Sequence, residues 1–165
     1  MEKFEWCLGK GKAGEKHKGV REIHPDRKEA DEHINKALHN LDAMDELHRL
    51  GRFSDWVLST AFYAMYHAAL AVLYELGYES RNQECTFTML EHFIDKKMIN
   101  VEKEFVWIAR GIGEIAAEKD AKTLREEFQY GVKTKAEAKI VGAKMKDARK
   151  FVQRMRVVIE ELRSI

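Results

Sequence analysis

The chain of 165 residues has one proline, Pro25, and only two cysteines, Cys7 and Cys85. With so little proline, and few turn clusters after a glycine-rich beginning, little in the chain breaks a helix. Two cysteines make neither a disulfide framework nor a zinc site, so both are expected as reduced thiols of a cytoplasmic protein. The longest apolar run, Ala61 to Tyr74, is interrupted by His67 and falls short of the ~20 residues that a membrane span needs. No signal peptide is visible, and a soluble, cytoplasmic chain without a membrane partner is expected. There is no Gly-x-Ser-x-Gly elbow, no paired-cysteine redox motif and no His-Glu-x-x-His.

Charge of one sign is also lacking overall, since the formal net charge is +1. Its distribution is uneven. Residues 26–49 carry four Lys/Arg against seven Asp/Glu, and residues 132–165 carry ten against four. A basic last helix can attract phosphate or an acidic partner, or can simply be a solvated face.

What remains is rich in Ala, Leu, Glu and Lys, the good helix formers, with 45% hydrophobic and 35% charged residues. The expected architecture is all-α: an up-and-down antiparallel bundle of about five helices over residues 25–165, preceded by an arm over 1–24. The arm reads as mobile, with Phe4, Trp6 and Leu8 pinning its start. Its "GKGKAGEK" resembles a phosphate loop, but Glu15-Lys16 stand where Lys then Ser/Thr is required, and no strand precedes it. A first long helix starts at Pro25 and Asp26, carries the stripe Ala30, Ile34, Ala37, Leu41 and Met44, and ends at Gly51. A second, capped by Ser54 or Asp55, is apolar all round and therefore central. One of its rows holds Trp56, Thr60, Tyr63, His67, Leu70 and Tyr74. A short helix follows with Phe87, Leu90 and Ile94. A fourth carries Phe105, Ile108, Ile112 and Ile115, bends near 118–122, resumes with Leu124 and Phe128, and stops at Gly131. The last runs from about Lys135 to Arg163. No strand is expected.

Seven histidines invite a metal, but His33 and His39 face different ways, and His67 and His92 have no ligand at helical spacing. No metal and no cofactor are expected. Trp56, Tyr63, Tyr66 and His67 read as core or interface residues.

The stretch "FYAMYHAALAVLYELGYESRNQEC", with "LEHFI" and "LREEFQYG", resembles the HEPN family (higher eukaryotes and prokaryotes nucleotide-binding) in its small prokaryotic form, over roughly Pro25 to Leu162. The resemblance implies a helical bundle that dimerises. It also implies a minimal nucleotidyltransferase as partner, in a toxin–antitoxin or related two-component system. Active members resemble one another in an Arg and a His with four to six residues between them, which supports metal-independent RNA cleavage. Here the matching segment offers Arg125 and Tyr130 without a histidine, and Gln83 stands where related members often carry one. The literal match, Arg27 to His33, lies at the start of the first helix. The resemblance therefore implies a non-catalytic nucleotide- or RNA-binding homodimer, with Arg81, Asn82, Gln83, Arg125 and Tyr130 as binding candidates. The alternatives are a ribonuclease toxin using Arg125, Tyr130 and a base such as His67 or His92, or a structural dimerisation module.

Overall fold

The computed structural model describes residues 2–14, 19–117 and 138–165. In chain order they form α1 (Lys3–Lys12), β1 (Val20–Glu22), α2 (Arg27–Leu50), α3 (Ser54–Glu75), β2 (Tyr78–Ser80), α4 (Gln83–Asp95), α5 (Lys103–Ala117) and α6 (Ala138–Arg163). The all-α bundle expected from periodicity is therefore present, with one more helix and two short strands. The bend near 118–122, the stripe of Leu124 and Phe128, and the stop at Gly131 lie outside the described residues.

Helix α2 begins where its first free amide is satisfied: the Asp26 carboxylate accepts from the Glu29 amide at 3.0 Å. Ala30, Ala37 and Met44 of the expected stripe are buried, and Ile34 and Leu41 flank them half-buried. A short turn at Gly51 sends α3 back antiparallel. The start of α3 differs from expectation. Phe53 holds the cap position without a side-chain hydrogen bond, so neither Ser54 nor Asp55 is the cap residue. By length and composition α3 would cross a membrane, but most of it is buried against its neighbours. Helices α2, α4, α5 and α6 all pack on it. Its alanines 61, 64, 68, 69 and 71 are buried and keep those helices close.

The stripe expected on α5 is rotated. Val106, Ala109 and Ile112 are buried, whereas Trp107 and Ile108 are exposed. The cause is a close approach: a Cβ at Gly113 would lie 2.6 Å from the Phe62 ring, so α5 turns its small residues to α3. On α6 the expected face is the buried one, with Val141, Met145, Ala148, Val152, Met155 and Ile159.

The charge asymmetry of the sequence is partly consumed inside the chain. Arg149 of α6 pairs with Asp45 of α2, with one N···O distance of 2.8 Å. Arg163 of α6 donates to the buried Glu75 carboxylate through Nε at 3.1 Å and Nη2 at 2.8 Å, and lies 2.9 Å from Asp31 of α2. For Arg149 and Arg163 the acidic partner of the basic helix is the acidic helix.

The first 24 residues correct two expectations. Strand β1 pairs antiparallel with β2, Val20 opposite Ser80 and Glu22 opposite Tyr78. Three-residue strands leave no alternation to read in a sequence. The ribbon closes where the Ile23 amide donates to the Gly77 carbonyl at 2.8 Å, and Gly77 sits at φ +86°. Residues 9–14 of the phosphate-loop look-alike belong to α1 and the turn after it. Its Gly11, with Gly19, lets α1 lie against β1: a Cβ at Gly11 would fall 1.8 Å from the Val20 carbonyl oxygen. Phe4 and Leu8 pack on the core, while Trp6 is exposed.

Cys7 and Cys85 are joined in a disulfide, not left as thiols, with their Cα atoms 5.7 Å apart. The bond ties α1 to the first turn of α4 and removes the ground on which a reducing compartment was expected. It closes a loop with a sequence separation of 78, which by chain entropy contributes about 4 kcal/mol. A reductant is expected to lower the thermal midpoint by roughly 10 °C. The Cys7→Ser variant is expected to melt at that lower temperature and to ignore the reductant. Superimposed melts of the native chain with and without dithiothreitol would contradict this.

Candidate functional site

The row that leads along α3 from Trp56 to Tyr74 does not behave as one core seam. Trp56 is 60% and Tyr63 45% exposed, so of their core-or-interface reading the core alternative falls. Tyr66 does pack inward, its ring 6.2 Å from Phe62 and 6.5 Å from Phe87. Burial raises its hydroxyl pKa, against a hydrogen bond to Thr86. His67 and Tyr74 lie half-buried where α2 meets α3.

His67 faces a neighbour on the other helix. Nδ1 of His33 and Nδ1 of His67 are 2.9 Å apart. The ring of His33 also lies 5.1 Å from Tyr74 at an interplanar angle of 19°. On its far side, Nε2 of His33 is 3.8 Å from a Glu29 carboxylate oxygen. The antiparallel hairpin produces this meeting, since His33 and His67 lie almost equally far before and after Gly51. The same register brings the Asp26 amide to the Tyr74 carbonyl at 3.0 Å.

Burial, then the charges of His33 and Lys36, push the His67 pKa down to about 4 from 6.5. Burial also lowers His33, against the field of Glu32. At neutral pH both rings are neutral, and a neutral imidazole offers one N–H donor and one bare acceptor.

The β2–α4 turn holds the other candidates. The Asn82 side chain accepts from the Cys85 amide at 2.8 Å, and so caps α4. The Ser80 hydroxyl donates to the Asn82 carbonyl at 3.0 Å, and Thr86 donates to Ser80 and to that carbonyl. Asn82 is thus committed to the fold. Arg81 and Gln83 are exposed beside it. The Arg81 charge reaches Tyr74, whose pKa is raised first by burial and lowered by Arg81. Arg81 thus lies near enough to Tyr74 for its charge to act there, and Tyr74 in turn lies against His33. His92 stands apart, stacked on Phe4 at 3.6 Å. Arg125 and Tyr130 lie outside the described residues. Arg27, the literal partner of His33, has its Nε 3.4 Å from Glu75, while Nδ1 of His33 is turned to His67.

Among the described residues no three His, Cys, Asp or Glu are grouped to hold a metal ion. A concavity of about 480 Å³ is lined by Ile94, Lys97, Val101, Val158 and Leu162 among others and touches none of the candidates. The histidine pair has the better claim because it gathers polar groups with shifted protonation, which the concavity does not. Sequence reasoning weighed His33 as a metal ligand and as the literal partner of Arg27 but missed its pairing with His67, and the signal that points to it is their near-equal distance from Gly51.

The depressed histidine pKa values give stability a pH dependence. The unfolded chain takes up protons near pH 6.5 that the folded chain refuses until about pH 4 at His67. Stability is full above 6.5 and is lost as pH falls toward 4. Asp45, lowered by its hydrogen bond to Arg149, acts only below that window. The urea midpoint is expected to fall steadily from pH 7 to pH 4.5 and to flatten in His67→Gln. An equal slope in both chains would contradict the assignment.

A search among curated proteins finds no match to the chain. A family model does match, that of the HEPN domain, over residues 30–165. It covers α2 to α6, the histidine pair included, and begins after α1 and β1. The match supports a nucleotide- or RNA-related role at the level of the family. The chain belongs to the HEPN domain family.

Proposed function

We propose that the protein is a non-catalytic nucleotide- or RNA-binding partner of a minimal nucleotidyltransferase, acting as a homodimer in a two-component system of toxin–antitoxin type. The observation that carries this reading is the HEPN domain match over residues 30–165. Its support for binding is local. Arg81 is exposed at the start of α4, where a guanidinium can hold phosphate and the helix dipole favours it. Trp56 and Tyr63 are exposed on α3, and exposed aromatic side chains suit stacking of bases. The absence of a histidine beside Arg125 and Tyr130 favours binding over cleavage.

A second reading, metal-independent RNA cleavage with His67 as proton acceptor, is favoured by one observation: the ordered contact of His67 with His33. Incubation with total RNA in EDTA separates the two. Cleavage by the native chain that His67→Ala and Arg125→Ala both lack selects the second reading.

Fluorescence anisotropy with a short single-stranded RNA tests the first. Binding is expected to weaken with salt, and Arg81→Ala is expected to cost roughly fivefold in Kd. No binding of that RNA or of ATP at millimolar concentration would overturn the reading.

A further inference from the structure

The two histidine rings meet edge to edge. Their centres are 5.2 Å apart, about the 2.9 Å gap between the Nδ1 atoms plus the two ring radii. Centre, nitrogen, nitrogen and centre therefore lie nearly on one line. With an interplanar angle of 24°, one ring donates N–H into the lone pair of the other. Lone pairs aimed at each other do not converge on a metal ion, so what lies between them is a single proton.

Glu29 decides which ring supplies it. Nε2 of His33 lies 3.8 Å from the carboxylate, longer than a hydrogen bond but close enough for the field to favour N–H over a bare lone pair there. Neutral His33 then has a bare Nδ1, and His67 is the donor through its own Nδ1–H. That leaves Nε2 of His67 as the bare acceptor. Among the described residues nothing donates to it. Among the described residues the fully buried side-chain atoms without a partner are Asp55 Oδ1 and Arg110 Nε, so Nε2 of half-buried His67 is not sealed from solvent. A pKa of about 4 keeps it unprotonated at neutral pH.

The groups around this atom restrict what it meets. A lone pair repels a phosphate oxygen, so the ligand must donate a hydrogen there. Lys36, exposed one turn after His33 on α2, carries a positive charge that His67 senses. Tyr63, one turn before His67, exposes its ring. Glu29 and Glu32 of α2, with Glu79 and Arg81 beyond Tyr74, are the other charges nearby. An acceptor, a cation and a flat ring match the hydroxyl, phosphate and base of one ribonucleotide unit.

We propose that Nε2 of His67 accepts a hydrogen bond from a ribose 2′-hydroxyl, with Lys36 on the neighbouring phosphate and Tyr63 under the base, so that this face of α2 and α3 selects RNA over DNA. The inference rests on the binding reading and names the atom that reads the sugar. DNA lacks the donor, and a partly buried acceptor left unpaired is penalised.

The test compares sequence-matched single-stranded RNA, 2′-O-methyl RNA and DNA at neutral pH, using the native chain, His67→Ala and His33→Ala. The native chain is expected to bind RNA about tenfold more tightly than the other two. His67→Ala is expected to bind all three alike, at the DNA affinity. His33→Ala, in which nothing fixes the ring of His67, is expected to lose most of the preference. Long-range nitrogen–proton NMR on the free chain is expected to place the proton of His67 on Nδ1. Equal affinity of the native chain for RNA and DNA overturns the proposal while the binding reading stands. Failure to bind any of them overturns both. A proton found on Nε2 of His67 overturns the proposal independently of folding in the variants. If Tyr63→Ala breaks a dimer and leaves RNA binding unchanged, the face belongs to a second copy of the chain and the proposal falls.

Discussion

One helix must act as wall for four others, and that constraint orders the whole fold. Helix α3 takes α2, α4, α5 and α6 on its sides. Large side chains all round it would hold those helices apart, and five of its thirteen buried residues are alanine. Phe62 shows the converse: its ring occupies the room that Gly113 of α5 leaves empty. On the row that starts at Trp56, Trp56 and Tyr63 stay exposed, while Leu70 further along it is buried. Core and candidate site are thus two sides of the same helix.

The angle and register of α2 on α3 follow from polar ties at the ends. Glu75, only 4% exposed in its side chain, is a buried carboxylate at the end of α3, held by Arg163 from α6. Arg163 also reaches Asp31 and the Arg27 carbonyl of α2, so three helix ends converge on one guanidinium. A buried charge with its partner removed is strongly unfavourable, which makes this knot a fixed point for sliding of the helices. His33 lies less than one turn beyond Asp31. A shift of α2 by one turn would carry its Nδ1 away from His67, so the proton arrangement of the pair depends on a salt bridge it does not touch.

The sequence made the helices legible where their apolar positions recur, as in α2 and α6, and where a cap residue has a partner at the right spacing, as with Asp26 and Glu29. It concealed features that arise from meetings across the chain. The cysteines are 78 positions apart, and two cysteines alone say nothing of a bond. The strands are too short to alternate. The rotated face of α5 answers to Phe62, which lies on another helix. His33 and His67 belong to different helices, and helical spacing cannot join them. Their near-equal distance from Gly51 can, once the hairpin is assumed. Of the candidates, His67 meets His33, Arg81 acts on Tyr74, Asn82 turns out to be a cap, and Arg125 and Tyr130 lie outside the described residues.

The family membership leaves open where on the bundle a ligand lies, and the account places it on α2 and α3 around His67. Backbone amide mapping by NMR during titration with a short RNA reads that location directly. The account predicts that the largest shifts fall at Lys36, Tyr63, His67 and Tyr74, with smaller ones at Arg81. Shifts confined to α4 and α5, with those residues unmoved, would contradict it.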